Sequence, residues 1–206
     1  MVDPSVVSMG SNLMQGGLLL GSFFLGFVSA VFAEPVRRFL FKPKLNLRFS
    51  GKDDCVAQTP MSSGINGVYV RVKVTNLRRQ VARSCRAFLN GVEKQATDGR
   101  FQPTIYTDSL PLAWSCQPEG LERSPLDLLH GVSQYVDVVA AFEGGRYLEP
   151  QVAPFPRRYF SLFADHEAIY RFTIQVSGDG VDPRVITIDV NWKGQWNTLQ
   201  VSLFEP

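Results

Sequence analysis

The residues most able to do chemistry are two histidines, His130 and His166, and three cysteines, Cys55, Cys85 and Cys116. His166 sits in Asp165-His166-Glu167, a carboxylate–imidazole–carboxylate trio of the kind that can ligate a metal. Neighbouring residues on an extended chain point to opposite faces, so one site could take Asp165 and Glu167 but would leave His166 outside. The trio therefore reads as a solvated turn, as does His130 before Gly131. Cys85 lies between Arg83 and Arg86, whose charges would favour a thiolate. Strand alternation instead directs Cys85 inward, as a core thiol. An odd cysteine count without a CxxC pair argues against both a zinc site and a disulfide framework. Reduced thiols are expected, with a Cys85–Cys116 bridge open to an oxidising compartment.

No GxSxG, P-loop, HExxH or dinucleotide fingerprint occurs. Gly144-Gly145 and Gly178-Asp179-Gly180 read as turns and open no helix, so they are poor phosphate cradles. The expectation is a protein that is not an enzyme and holds no cofactor or metal. Arg78, Arg79, Arg83 and Arg86 cluster on one predicted hairpin, a candidate contact for a membrane or protein partner. No aromatic residues interleave with them, which disfavours a nucleic-acid partner. The 21 Lys and Arg and 18 of the 19 acidic residues lie beyond Ala33, so that part carries only +3. A nucleic-acid binder normally shows a dominant basic face. Trp114, Trp192 and Trp196 are expected in the core or at sheet edges.

Residues 4–33 contain no charge, and 16–33 read GGLLLGSFFLGFVSAVFA. As a helix this stretch spans about 27 Å, close to the hydrocarbon core of a bilayer. A signal peptide would need a positive n-region, and residues 1–16 have no Lys or Arg. The expected organisation is a short tail at 1–12, a transmembrane helix at 13–36, a basic linker at 37–44 and a β-domain at 45–206. Arg37, Arg38, Lys42, Lys44 and Arg48 follow the apolar stretch and could sit on anionic headgroups. By the positive-inside rule they place the β-domain in the cytoplasm and the N-terminus outside. Gly17 and Gly21 form a GxxxG, and Ser22, Gly26 and Ala30 repeat the spacing. Such small residues let helices pack closely, so a homo-oligomer through the helix is a candidate.

Beyond Pro43 the hydrophobic period becomes two. Leu45, Leu47 and Phe49 alternate with polar neighbours, and Val68, Val70, Val72 and Val74 with Tyr69, Arg71, Lys73 and Thr75. Further strands are predicted at 87–92, 110–114, 135–140, 159–163, 169–176, 185–192 and 199–204. Residues 76–83 read as a turn, 52–67 as a loop and 125–129 as a short helix. Clean alternation signals antiparallel sheets with one wet face, and many short strands without a long amphipathic helix signal a sandwich or barrel.

The run VYVRVKVTNLRRQVARSCRAFLNGVE resembles the strand–turn–strand core of bacterial immunoglobulin-like domains of the cell-adhesion-related type. DLLHGVSQYVDVV and the closing YRFTIQVSGDGVDPRVITIDVNW resemble their later strand and final hairpin. The resemblance covers 68–204 with gaps and implies an all-β antiparallel immunoglobulin-like sandwich. It transfers no functional residues. The stretch 94–126 is longer than the simplest such domain. Three functions fit: a membrane-anchored interaction module, a membrane-tethered sensor of a small ligand or nucleotide with 94–126 as lid, and an extracytoplasmic adhesion domain.

Overall fold

The computed structural model describes residues 42–51, 54–61, 64–118, 120–164 and 167–204. The expectations for a transmembrane helix, for Gly17, Gly21, Ser22, Gly26 and Ala30, and for Arg37 and Arg38 lie outside them. Among the described residues no helix is long and apolar enough to cross a membrane. The chain divides into two compact units, Met1–Lys42 and Pro43–Pro206.

The second unit is all-β and antiparallel, a sandwich of two sheets. The first sheet orders β1 (Leu45–Arg48), β3 (Asn66–Asn76), β9 (Ser133–Phe142) and β10 (Glu149–Pro150), with β2 (Val56–Pro60) also on β3 and β7 (Ala113–Trp114) also on β9. The second orders β13 (Gln200–Leu203), β12 (Val181–Trp192), β11 (Ala168–Asp179), β4 (Ala82–Gln95) and β5 (Phe101–Pro103), with β6 (Leu110–Pro111) and β8 (Leu126–Leu128) also on β4.

The alternating valines of β3 explain the first sheet. Val70, Val72 and Val74 are fully buried, while Arg71, Lys73 and Thr75 face outward. Opposite them β9 carries a bulge between the pairs Val70–Val139 and Arg71–Asp137. In the second sheet Phe172, Ile174 and Val176 of β11 and Ile188 and Val190 of β12 turn inward. Together the inward faces form one continuous core. At about 25 cal/mol per Å² of apolar surface removed from water, that burial is the main stabilising term.

Two bulges bend β4 against β11, one between Thr173 and Ile174 and one between Ser177 and Asp179. At the second, Ser84 takes a left-handed φ of 50° and its N–H donates to Asp127 Oδ1 at 2.9 Å. Gly178 faces this kink so closely that a Cβ would lie 2.7 Å from the Arg83 carbonyl oxygen and 2.9 Å from Cys85 Sγ.

Four predicted elements are corrected. Residues 159–163 belong to a 3-10 helix, Arg157–Phe163, which follows Pro154 and Pro156, residues that have no N–H to give a sheet. Residues 125–129 are no helix, since β8 pairs there with β4. The loop expected at 52–67 contains β2, an edge strand whose sequence VAQTP shows no apolar alternation. Residues 110–114 are two strands. β6 pairs with Phe88 and Leu89 of the second sheet, and β7 with Val136 and Asp137 of the first. Between them Leu112 donates its N–H to the Ala87 carbonyl and bridges to Val152. The segment thus passes from one sheet to the other.

Candidate functional site

A cavity of about 680 Å³ opens on the flank of the sandwich, beside the short edge strand β10. Its wall follows from the local sequence. After β10 the chain reads QVAPFPRRYFSLF, and the prolines at 154 and 156 cannot donate to a sheet. The chain folds instead into the 3-10 helix, which presents aromatic rings on both sides. Phe163 stacks on Phe172 with centroids 6.0 Å apart and tilts against Tyr170 at 5.2 Å. Phe155 packs on Phe163 at 5.9 Å and stacks on Phe160 at 5.5 Å. The aromatic column therefore runs from the core to the surface, where Phe160 is 56% exposed. Tyr170 Oη donates to the Leu162 carbonyl at 2.8 Å and pins the 3-10 helix to β11. On the opposite side Tyr159 rests on Tyr106, centroids 4.9 Å apart.

The polar groups of the cavity are few. Burial pushes the Glu149 carboxyl above the usual carboxylate range. Arg123 reaches in from the 115–125 segment, which Trp114 holds by an N–H bond to the Glu122 carbonyl at 2.6 Å. Its Nη1 is 3.8 Å from Glu122, but its Nε is buried with no hydrogen-bond partner. A mostly apolar cavity of this size with one acid and one donor in want of an acceptor has the make-up of a binding site. The space between the sheets, by contrast, is filled by side chains, so the cavity is a flank feature and no sandwich interior. Of the predicted lid, Arg123 is the residue that lines it.

The residues singled out from sequence lie elsewhere. Arg78 and Arg79 are exposed on the turn between β3 and β4, and Arg83 and Arg86 are exposed on β4 itself. The strand starts at Ala82, so the basic turn is shorter than expected. Lys44 is exposed just before β1. Arg48 is four residues along that strand, about 13 Å away at strand rise, and lines a shallow cleft with Asp54, Lys73 and Tyr135. Arg48 therefore does not share a spot with Lys44. His130 is exposed and forms a parallel bridge with Asn76. Asp165 and His166 lie outside the described residues, and Glu167 is exposed. Among the described residues no group of three or more His, Cys, Asp or Glu is placed to hold a metal.

All three cysteines are free, Cys55 and Cys85 buried and Cys116 exposed. Burial pushes the Cys85 thiol up to about 11, so Arg83 and Arg86 do not activate it. Ser115 Oγ donates to Asp137 Oδ1 at 2.5 Å, but Arg71 Nε also donates to that oxygen, at 2.8 Å. A carboxylate so engaged is a poor base for a serine nucleophile. The flank cavity escaped the sequence reading because three separate segments build it. Its one local signal is the aromatic density of 155–163.

No protein-family model matches the chain, and no curated protein is significantly similar to it in sequence.

Proposed function

We propose that the protein is a non-catalytic interaction module, an immunoglobulin-like sandwich tethered to a membrane by one N-terminal helix, whose flank cavity takes an apolar side chain of a partner protein. The observation that carries this reading is the aromatic column ending in an exposed Phe160 at the cavity rim. Aromatic side chains seated around a desolvated pocket dominate protein–protein binding energy. The charge-free stretch at 16–33 supports the tether, and the cations that follow support a cytoplasmic β-domain. The small residues Gly17, Gly21, Ser22, Gly26 and Ala30 support self-association in the membrane.

Photo-cross-linking in native membranes tests the partner site. A photoreactive phenylalanine at Tyr147, on the cavity rim, should give a discrete adduct that Phe160→Asp abolishes. The same probe at Leu203, on the far edge strand, should give none. Equal adducts from both positions, or none from Tyr147, sink the reading. Orientation is tested on Cys116, the exposed thiol. An impermeant reagent should label it only after lysis, and labelling of intact cells would favour the extracytoplasmic adhesion reading.

A ligand sensor is the second reading, favoured by the unpartnered Nε of Arg123 inside a cavity of small-molecule size. It requires saturable one-to-one binding of an apolar anion such as anilinonaphthalene sulfonate, lost in Phe160→Asp. Non-saturable binding counts against it.

A further inference from the structure

Three segments meet at the end of the sandwich where the chain joins the β-domain, and a buried asparagine holds them together. Asn76 is fully buried at the end of β3. Its Nδ2 donates to the carbonyls of Gln80 at 2.7 Å and Leu128 at 3.0 Å, and its Oδ1 accepts the Arg78 N–H at 3.1 Å. Its own carbonyl accepts the Gly131 N–H at 2.9 Å, while Leu77 N–H donates to the Lys44 carbonyl at 2.8 Å. The start of the β-domain at 43–44, the turn at 77–81 and the turn at 129–132 are thus hydrogen-bonded into one tip.

That tip shows Leu77 45% exposed, Leu129 55% exposed and Val132 42% exposed. Lys44, Arg78 and Arg79 are its cations, and none of the three segments contains a carboxylate. The nearest acidic residues by chain and register belong to the second sheet. Asp127 accepts the Ser84 N–H, Asp179 lies opposite Arg83, and Asp182 follows it on β12. Exposed aliphatic side chains ringed by cations, without acids between them, suit the boundary of headgroup and acyl chain in an anionic bilayer.

We infer that this tip docks on an anionic membrane surface, with Leu77, Leu129 and Val132 dipping below the headgroups and Lys44, Arg78 and Arg79 pairing with lipid phosphates. The inference deepens the tether reading, which supplies the geometry. Only residues 34–42 separate the apolar stretch from Pro43, a leash of at most about 30 Å when fully extended. The leash enters the domain at this tip, so a bilayer that held residues 16–33 would be within the leash's reach of it.

The test uses the full chain in lipid nanodiscs, with an environment-sensitive fluorophore on Leu129→Cys in a Cys116→Ser background. Cys55 and Cys85 are buried and stay unlabelled in the folded protein. With phosphatidylglycerol present, emission should shift to the blue and nitroxide lipids should quench it. In pure phosphatidylcholine both signals should be absent. Arg78→Glu with Arg79→Glu should abolish them while circular dichroism stays unchanged. Each cation removed singly should weaken the docking equilibrium read from the quenching about fivefold, the equivalent of about 1 kcal/mol per basic residue. A probe that stays in water with both lipids overturns the inference, as does equal quenching in both, which would leave no role for the cations. Alkaline extraction of the same membranes separates the two readings. A chain that resists extraction while its tip stays wet keeps the tether and loses the tip contact. A chain that is extracted, yet whose probe is still quenched on anionic vesicles at neutral pH, loses the tether and keeps the tip contact.

Discussion

Each sheet carries an arginine–aspartate pair on its outward side, and the two pairs are shielded in different ways. In the first sheet Arg71 gives Asp137 a single 2.8 Å hydrogen bond from Nε, and Ser115 supplies a second donor to the same oxygen. Arg71 also lies 5.3 Å from the Tyr69 ring centroid. Burial and then the Asp137 charge raise the Tyr69 hydroxyl above its ordinary pKa. In the second sheet Arg171 binds Asp189 with two hydrogen bonds, at 2.7 and 2.9 Å. Its guanidinium sits between Phe101 and Phe204, 3.7 Å from each centroid. The bond to Asp189 leads the causes that raise the Arg171 pKa. One pair is closed by hydrogen bonding to a buried carboxylate. The other is closed by stacking on a planar cation. The aspartate matters most in the first sheet and the arginine in the second.

That asymmetry sets the order of expected losses. Asp137→Ala strands Arg71 and Ser115 beneath β7 and should cost about 3 kcal/mol in urea unfolding. Asp189→Ala should cost less, about 2 kcal/mol, because Arg171 keeps both rings. A larger loss at Asp189 would break the comparison. Arg171→Lys gives up the fork and both stacked faces and should cost about 1.5 kcal/mol. Arg71→Lys, which gives up one bond, should cost about 0.5 kcal/mol. Equal costs for the two lysine variants would mean that stacking contributes nothing.

The smallest effect concerns Glu149, at the edge of the first sheet. Its folded pKa is raised by burial, so the folded protein holds this proton more tightly than the unfolded chain. The stability so contributed is present below the unfolded carboxylate pKa and is lost as pH rises through the folded one. Glu149→Gln should therefore unfold at a higher temperature than the wild type at pH 7, with the gap closing toward pH 4. A gap that widens on acidification would reverse the assignment and make Glu149 a stabilising anion like Asp137.

The long strands were legible because they obey one rule throughout. In β3, β11 and β12 apolar residues fall at every second position over 68–74, 170–176 and 186–192, and the hairpin glycine Gly180, with φ of 65°, sits where the sequence shows its turn. Legibility failed where burial comes from one side only or where a segment serves two sheets. Val56–Pro60 shows no alternation because its partner is β3 alone. Residues 110–114 look like one strand because sequence alternation carries no record of which sheet each residue joins. The flank cavity was illegible for another reason. Arg123 and Glu149 have unremarkable local contexts, and the aromatic run that holds Phe160 gains its meaning only when three segments converge.

The crossing at 110–114 also bears on how the chain is made. When the ribosome has released β1 to β8, β3 still lacks β9, whose paired residues lie 58 to 75 positions further on, and β4 still lacks β11, 76 to 96 positions further on. The crossing's β6 end can pair with β4 as soon as it emerges, but its β7 end has no partner until β9 has been made. The crossing therefore closes only once β9 is available, and the second sheet only once β11 is, and pairings this distant in sequence close slowly. Until then β3 and β4 each present an unpaired strand edge, the kind of surface through which partly made chains associate.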